Sequence, residues 1–262
     1  MDVAQQRIQR WVQRGRTNSW LNLSGLRLRE LPELPPTVRR LNISQNKLTD
    51  LSGLPRGLRK LYCGMNNKLL QFPADMPHQL IHVSCVGCFR LQSLDTLPDS
   101  VKYLDATHCE TLCEILKFPR ELRTCNLYNV YRLSYIREFS PKLLTLSISE
   151  TSMYDLPQFP TSLIALDVTF VKFRIQTVFP PKLQYLAILG YDTAAYVTHD
   201  SYIFNLLPPT LLFLELKCSD ARWTPGYIKS QLPLLEYYRC RDHTQWIGDE
   251  PTNIYKYLYP RV

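Results

Sequence analysis

No apolar run among the 262 residues approaches the roughly 18 that a membrane-crossing helix needs. Glycine is scarce, at 9, and histidine scarcer, at 5. No glycine falls in the G-x-G-x-x-G or G-x-x-x-x-G-K-[ST] spacing that lets a backbone cradle phosphates, and no H-E-x-x-H occurs. The scattered histidines form no evident Ser–His–acid set. The opening stretch, MDVAQQRIQRWVQRGRTNSW, lacks the apolar core of a secretory signal. The eight cysteines follow no small-domain pattern, so they read as free thiols in a reducing compartment. These absences point away from the familiar nucleotide-binding, zinc-protease and disulfide-scaffold classes.

Charge and proline are present in an organised way. Residues 1–60 carry twelve Lys/Arg and four acids, which equals the net +8 of the whole chain. Such a basic first quarter suits either a solvated surface or a steering patch for an acidic partner. The stretch LPPTVRRLNISQNKL (34–48) returns twenty residues later as LPRGLRKLYCGMNNKL (54–69).

Aligned on the apolar pair Leu41/Ile43, equivalent pairs recur at Leu21, Leu61, Val83, Leu104, Cys125, Leu146, Leu166, Leu186, Leu214 and Leu235. The spacings are 20–22 residues except for one of 28. An apolar residue stands three positions before each pair from the second unit on, and Pro stands three before that in eight units, with Ser140 and Lys229 as exceptions. An alternating pair is a short strand with one side inward. One unit cannot bury that side, but stacked units can. The proline-rich return disfavours regular helix, because Pro lacks an N–H and restricts its predecessor. The expectation is a solenoid of parallel strands with an extended, turn-like outer side. Asn46 and Asn66, five residues after the strand leucine, can satisfy turn backbone groups, and Cys88, Cys109 and Thr151 can do so more weakly.

LPPTVRRLNISQNKLTDLSGLP resembles the short repeat of bacterial effectors of the YopM and IpaH type, LPxxLxxLxVxxNxLxxLP. Later units such as FPTSLIALDVTFVKF resemble the looser Pro-x-Ser-Leu repeats of large DNA viruses. The resemblance implies a leucine-rich-repeat solenoid with a curved parallel sheet on its concave face. The expected organisation is an N-terminal helical cap at 1–18, with Ile8, Trp11 and Val12 on one stripe. Eleven repeats follow at 19–243, one of them longer near 189–210, and then a C-terminal cap at 244–262 with Trp246, Ile254 and Tyr257 inward.

Three motifs carry tempting chemistry. Cys85-Val-Gly-Cys88 with Cys109 and Cys113 has the look of a zinc or redox site. In the repeat register, however, Cys85 follows Cys63, Cys88 precedes Cys109, and Cys125 replaces a strand leucine, so buried packing accounts for them. Cys240-Arg-Asp242 resembles the Cys-x-Asp of IpaH-type ubiquitin ligases, but in that family the catalytic module is a large helical domain after the repeats and 20 residues follow Asp242 here, so catalysis is not expected of it. Asn22-Leu-Ser24 and Asn42-Ile-Ser44 match glycosylation sequons on strand positions.

No catalysis, cofactor or metal is expected. The strand residues flanking the inward pair are expected on the concave, solvent-facing side. Trp20, Arg40, Lys60, Tyr62, His82, Tyr103, Asp105, Tyr128, Tyr185 and Phe213 are the candidate partner-binding residues. Tyr191, Tyr196 and Tyr202 of the long unit could extend them. By resemblance, the expected function is a non-catalytic scaffold binding a host or cellular protein, with host cytoplasm or nucleus as its setting. The alternatives are substrate recognition for a ubiquitin ligase and nucleic-acid binding by the basic first quarter.

Overall fold

The computed structural model describes residues 2–171, 178–188, 206–216, 224–240 and 246–247. Tyr191, Tyr196, Tyr202, Ile254 and Tyr257 lie outside them.

The chain opens with helix α1 (Val3–Gln13), whose buried side is Ala4, Ile8 and Trp11, while Val12 is exposed. The helix closes on Gly15 at φ 61°, with the Gly15 N–H donating to Val12 O at 3.0 Å. Three-residue strands follow, one per coil: β1 (Trp20–Asn22), β2 (Arg40–Asn42), β3 (Lys60–Tyr62), β4 (His82–Ser84) and β5 (Tyr103–Asp105). Then come β6 (Glu114–Ile115), β7 (Thr124–Asn126), β8 (Tyr135–Ile136), β9 (Thr145–Ser147), β10 (Ala165–Asp167), β11 (Tyr185–Ile188) and β12 (Phe213–Leu216). Helix α2 (Pro225–Gln231), β13 (Tyr237–Cys240) and β14 (Trp246–Ile247) complete the order.

All but two of the strands form one twelve-stranded sheet, parallel from β1 to β13, with β14 antiparallel on β13. The remaining two, β6 and β8, make a small parallel ribbon of their own. The main-sheet register is coil on coil: Leu21, Leu41, Leu61, Val83, Leu104, Cys125, Leu146, Leu166, Leu186 and Leu214 pair in a continuous row. Every one of these is at most 2% exposed. They form one core with the outer-side residues, including the Phe118–Phe139–Phe159 stack at 6.4 and 5.4 Å. The fold is the leucine-rich-repeat solenoid anticipated from the repeat.

The Pro-x-x-Leu phrase is a turn. The leucine N–H donates back to the proline carbonyl, as in Leu58 to Pro55 (2.9 Å) and Leu163 to Pro160 (3.1 Å), and Ser140 accepts from Leu143 in the same way. The Pro-x-Ser-Leu variant adds a tie between coils. Ser100, Ser162 and Thr210 donate their hydroxyls to Leu80 O, Leu143 O and Leu183 O, each at 2.7 Å.

The last coil departs from the aligned register. Tyr238, not Leu235, pairs with Leu214, and Leu235 instead donates to Leu232 O as the turn leucine. Helix α2, capped by Thr224 and started by Pro225, occupies the return and moves the strand three residues along. Cys240 therefore pairs beside Leu216 on the strand rather than standing at the asparagine position. Tyr237 and Arg239, in place of Leu234 and Glu236, join the outward rows.

Candidate functional site: the concave face

A solenoid's first strand has an open edge, and here α1 closes it. Arg7 Nη1 donates to Asn22 O (3.2 Å) and Ser24 O (3.4 Å), supplying donors where a preceding strand would stand. Trp11 Nε1 donates to Ser19 O at 3.3 Å.

The turn at the end of each strand is fixed from inside. Asn46 Oδ1 accepts from Leu26 N and Leu28 N, both at 3.0 Å, while its Nδ2 donates to Leu23 O and Ile43 O at 2.9 Å. Asn66 does the same with one acceptance, from Leu48 N at 3.1 Å, and two donations, to Ile43 O and Cys63 O. Cys88 and Cys109 continue it as thiol donors to Cys63 O and Cys85 O at 3.4 Å, and Thr151 donates to Ile148 O at 2.8 Å. Cys63, Cys85, Cys88, Cys109 and Cys125 are thus part of the core, while Cys113 is exposed. Loss of water pushes the Cys88 thiol up to about 12, and burial raises Cys63 in the same sense. Cys85 is raised chiefly by its hydrogen bond to Cys109 and then by burial.

The residue just before that position is left-handed in coil after coil: Gly25, Gln45, Met65, Gly87, His108, Asn129, Glu150 and Phe170 all have φ between 54° and 71°. Most are not glycine, so the sequence carries no composition signal for this column.

The outward row of β1–β5 reads Trp20, Arg40, Lys60, His82, Tyr103, in direct register and half-buried. Tyr62 stands in the next row. Its ring lies 4.5 Å from Trp20 and 5.3 Å from His82, and His82 lies 5.9 Å from Tyr103. Four rings therefore make one ladder across five coils, with Arg40 and Lys60 beside it. Neither cation has an ion-pair partner among the described residues; the three pairs found there involve Asp99 and Glu121.

His82, next in the row after Lys60, does not add a third cation. Burial, then the Lys60 charge, lowers its pKa to about 4, and its Nδ1 is buried with no hydrogen-bond partner among the described residues. It is a neutral ring at pH 7. Lys60 is lowered in the same way by burial and by Arg40.

Asp105 is committed locally. Its Oδ1 accepts from Thr107 N (3.2 Å) and Thr107 Oγ1 (2.6 Å). Asn22, Asn42, Asn126 and Asp167 accept from the N–H two residues on in the same manner. The two sequon-like triplets are this Asx turn, and the Asx-x-Ser/Thr spacing was a legible signal for it. Tyr128 packs 5.6 Å from His108, and its hydroxyl donates to Glu150 Oε1 at 3.2 Å. The Asn129–His108 bond at 2.7 Å extends this second group along the left-handed column.

Tyr185 and Phe213 correct the expectation of outward display. They are 3% and 7% exposed and form a second apolar cluster with Ala165, Ala187 and Tyr237. Thr145 and Ser147 on β9 are buried too. The aromatic residues left half-open on the concave rows are therefore at the β1–β5 end, where Trp20, Tyr62, His82 and Tyr103 come together.

No protein-family model matches the chain, and no curated protein does. Among solved structures it is similar to YopM from Yersinia enterocolitica WA-314, with 20% identity over 90% of this chain and 71% of that one and a TM-score of 0.39. It is similar to a Shigella effector leucine-rich-repeat domain at 20% identity, over 91% of this chain and 87% of that one, with a TM-score of 0.37. A third is the functional domain of InlJ from Listeria monocytogenes, described as including a cysteine ladder, at 16% identity over 82% and 51% with a TM-score of 0.42. The chain's own parallel sheet and inward leucine row give it a leucine-rich-repeat solenoid fold.

Proposed function

We propose that the protein is a non-catalytic interaction scaffold that binds a host or cellular protein through the β1–β5 end of its concave face. The observation that carries this reading is the ring ladder Trp20–Tyr62–His82–Tyr103 beside two cations with no ion-pair partner among the described residues. Aromatic and Arg side chains dominate interface energies when a partner desolvates them. Cys63, Cys85, Cys88 and Cys125 offer little to catalysis, since they are buried and held in the thiol form. The effector-like repeat sequence favours a pathogen protein acting on host signalling.

The test is capture from host-cell lysate with two double variants, each checked for fold by circular dichroism. Arg40→Glu with Lys60→Glu should abolish capture. Arg56→Glu with Arg120→Glu, exposed residues away from the ladder, should leave it intact. The reverse result would place the binding surface on the outer side or the caps.

A further inference from the structure

The chemistry of the ring ladder narrows what can lie on it. Tyr62 has Trp20 on one side and His82 on the other, and His82 lies between Tyr62 and Tyr103, with ring planes 29–49° apart. Each of the two central rings therefore has two ring neighbours at 4.5–5.9 Å, which crowds the space a stacking base needs. Arg40 and Lys60 beside the ladder attract anions, and the ring bodies offer apolar area. The cations sit on adjacent strands, about 5 Å apart, a like-charge pair that an anion between them relieves.

We infer that the concave surface of β1–β5 reads an extended acidic segment of a partner protein, lying across the strands with a carboxylate between Arg40 and Lys60 and alternate apolar side chains on the Trp20–Tyr62–His82–Tyr103 ladder. This rests on the interaction-scaffold reading above and names the chemistry of its partner. In an extended peptide, residues two apart share a face and stand about 6.7 Å from each other. A segment with acidic and apolar residues alternating along one face therefore presents both groups to the same surface. The neutral state of His82 fits this arrangement, because it leaves the row apolar beyond the Arg40–Lys60 pair.

The experiment uses the full chain and a fluorescein-labelled peptide, (Glu-Glu-Leu-Leu)3, read by anisotropy. The controls are (Gln-Gln-Leu-Leu)3 and a single-stranded twelve-nucleotide oligouridylate. The acidic peptide should bind, weaken as salt is raised, and lose about tenfold or more in affinity with Arg40→Gln plus Lys60→Gln. Lys60→Arg should keep it, and Tyr62→Ala should weaken it without changing the salt slope. Equal binding of the neutral peptide, or no saturable binding of the acidic one, overturns the proposal. Tighter binding of the oligonucleotide with the same dependence on Arg40 and Lys60 overturns it in favour of nucleic acid. Competition against the lysate capture separates the two readings. If capture needs Arg40 and Lys60 but the acidic peptide does not compete, the acidic segment is wrong and the docking face stands. If capture ignores both cations, the docking face itself is wrong.

Discussion

Asn66 and Cys88 donate to the same carbonyl. Asn66 Nδ2 reaches Cys63 O at 2.7 Å from within its own coil, and Cys88 Sγ reaches it at 3.4 Å from the next. One acceptor thus joins two coils. Asn66 also holds Ile43 O at 3.0 Å and accepts from Leu48 N at 3.1 Å, and it is fully buried.

Replacing Asn66 by Ala leaves Leu48 N unpaired in the core, at about 1–3 kcal/mol, while Ile43 O keeps Asn46 Nδ2 and Cys63 O keeps Cys88 Sγ. The expected loss in a urea titration is therefore at least ~1 kcal/mol. Asn66→Cys, the residue the chain itself uses at 88 and 109, should cost less. Equal losses for the two variants would show that volume, not hydrogen bonding, sets the requirement.

Tyr62 bridges Trp20 on β1 and His82 on β4 through its ring. Tyr62→Phe keeps both contacts and should unfold at the wild-type midpoint. Tyr62→Ala breaks the ladder at its centre, and loss of two ring pairs predicts about 1–3 kcal/mol. A shift below ~0.5 kcal/mol in a urea titration would mean the rings touch without stabilising.

On β9, Leu146 is fully buried in the inward row, and Leu146→Ala should cost about 2–5 kcal/mol. Thr145 beside it is buried on the opposite face, and its Oγ1 has no hydrogen-bond partner among the described residues. Thr145→Val removes an unsatisfied hydroxyl at nearly constant shape, so its midpoint should equal or exceed that of the native chain. A clear destabilisation by Val would reveal an acceptor for that hydroxyl.

The pH dependence has two opposed parts. With the folded pKa of His82 near 4 and an ordinary value of about 6.5, the unfolded chain takes up this proton first. Stability from this group is complete above pH ~6.5 and is lost as pH falls toward 4. His82→Phe keeps a ring in the ladder and should flatten that limb of the urea-midpoint profile. Asp167 works the other way. Burial raises its carboxyl despite bonds from Thr169 and Ser147, so it favours the fold only while protonated. Asp167→Asn retains the Asx-turn acceptor, as Asn42 and Asn126 do on their strands. It should raise the midpoint at pH 7 and leave it unchanged at pH 3. A profile with neither change would remove both groups from the account.

The sequence by itself determined the coil. A repeat of 20–22 residues with two inward positions admits one way of burying its leucines, and Pro-x-x-Leu with Asn five residues after the strand leucine specifies the turns that join the coils. It also placed Trp20, Arg40, Lys60, His82 and Tyr103 in one row, because register follows from equal spacing. Tertiary structure decided the rest. In the last coil Leu232, Leu235 and Tyr238 offer two frames three residues apart, and only pairing against β12, with α2 taking up the slack, selects Tyr238. Strand alternation says which face a side chain is on, not whether that face is open, so the burial of Tyr185 and Phe213 could not be read from their positions. The neutrality of His82 and the Trp20–Tyr62 contact are relations between residues on different coils. They depend on side-chain packing across the sheet, which periodicity along one chain does not encode.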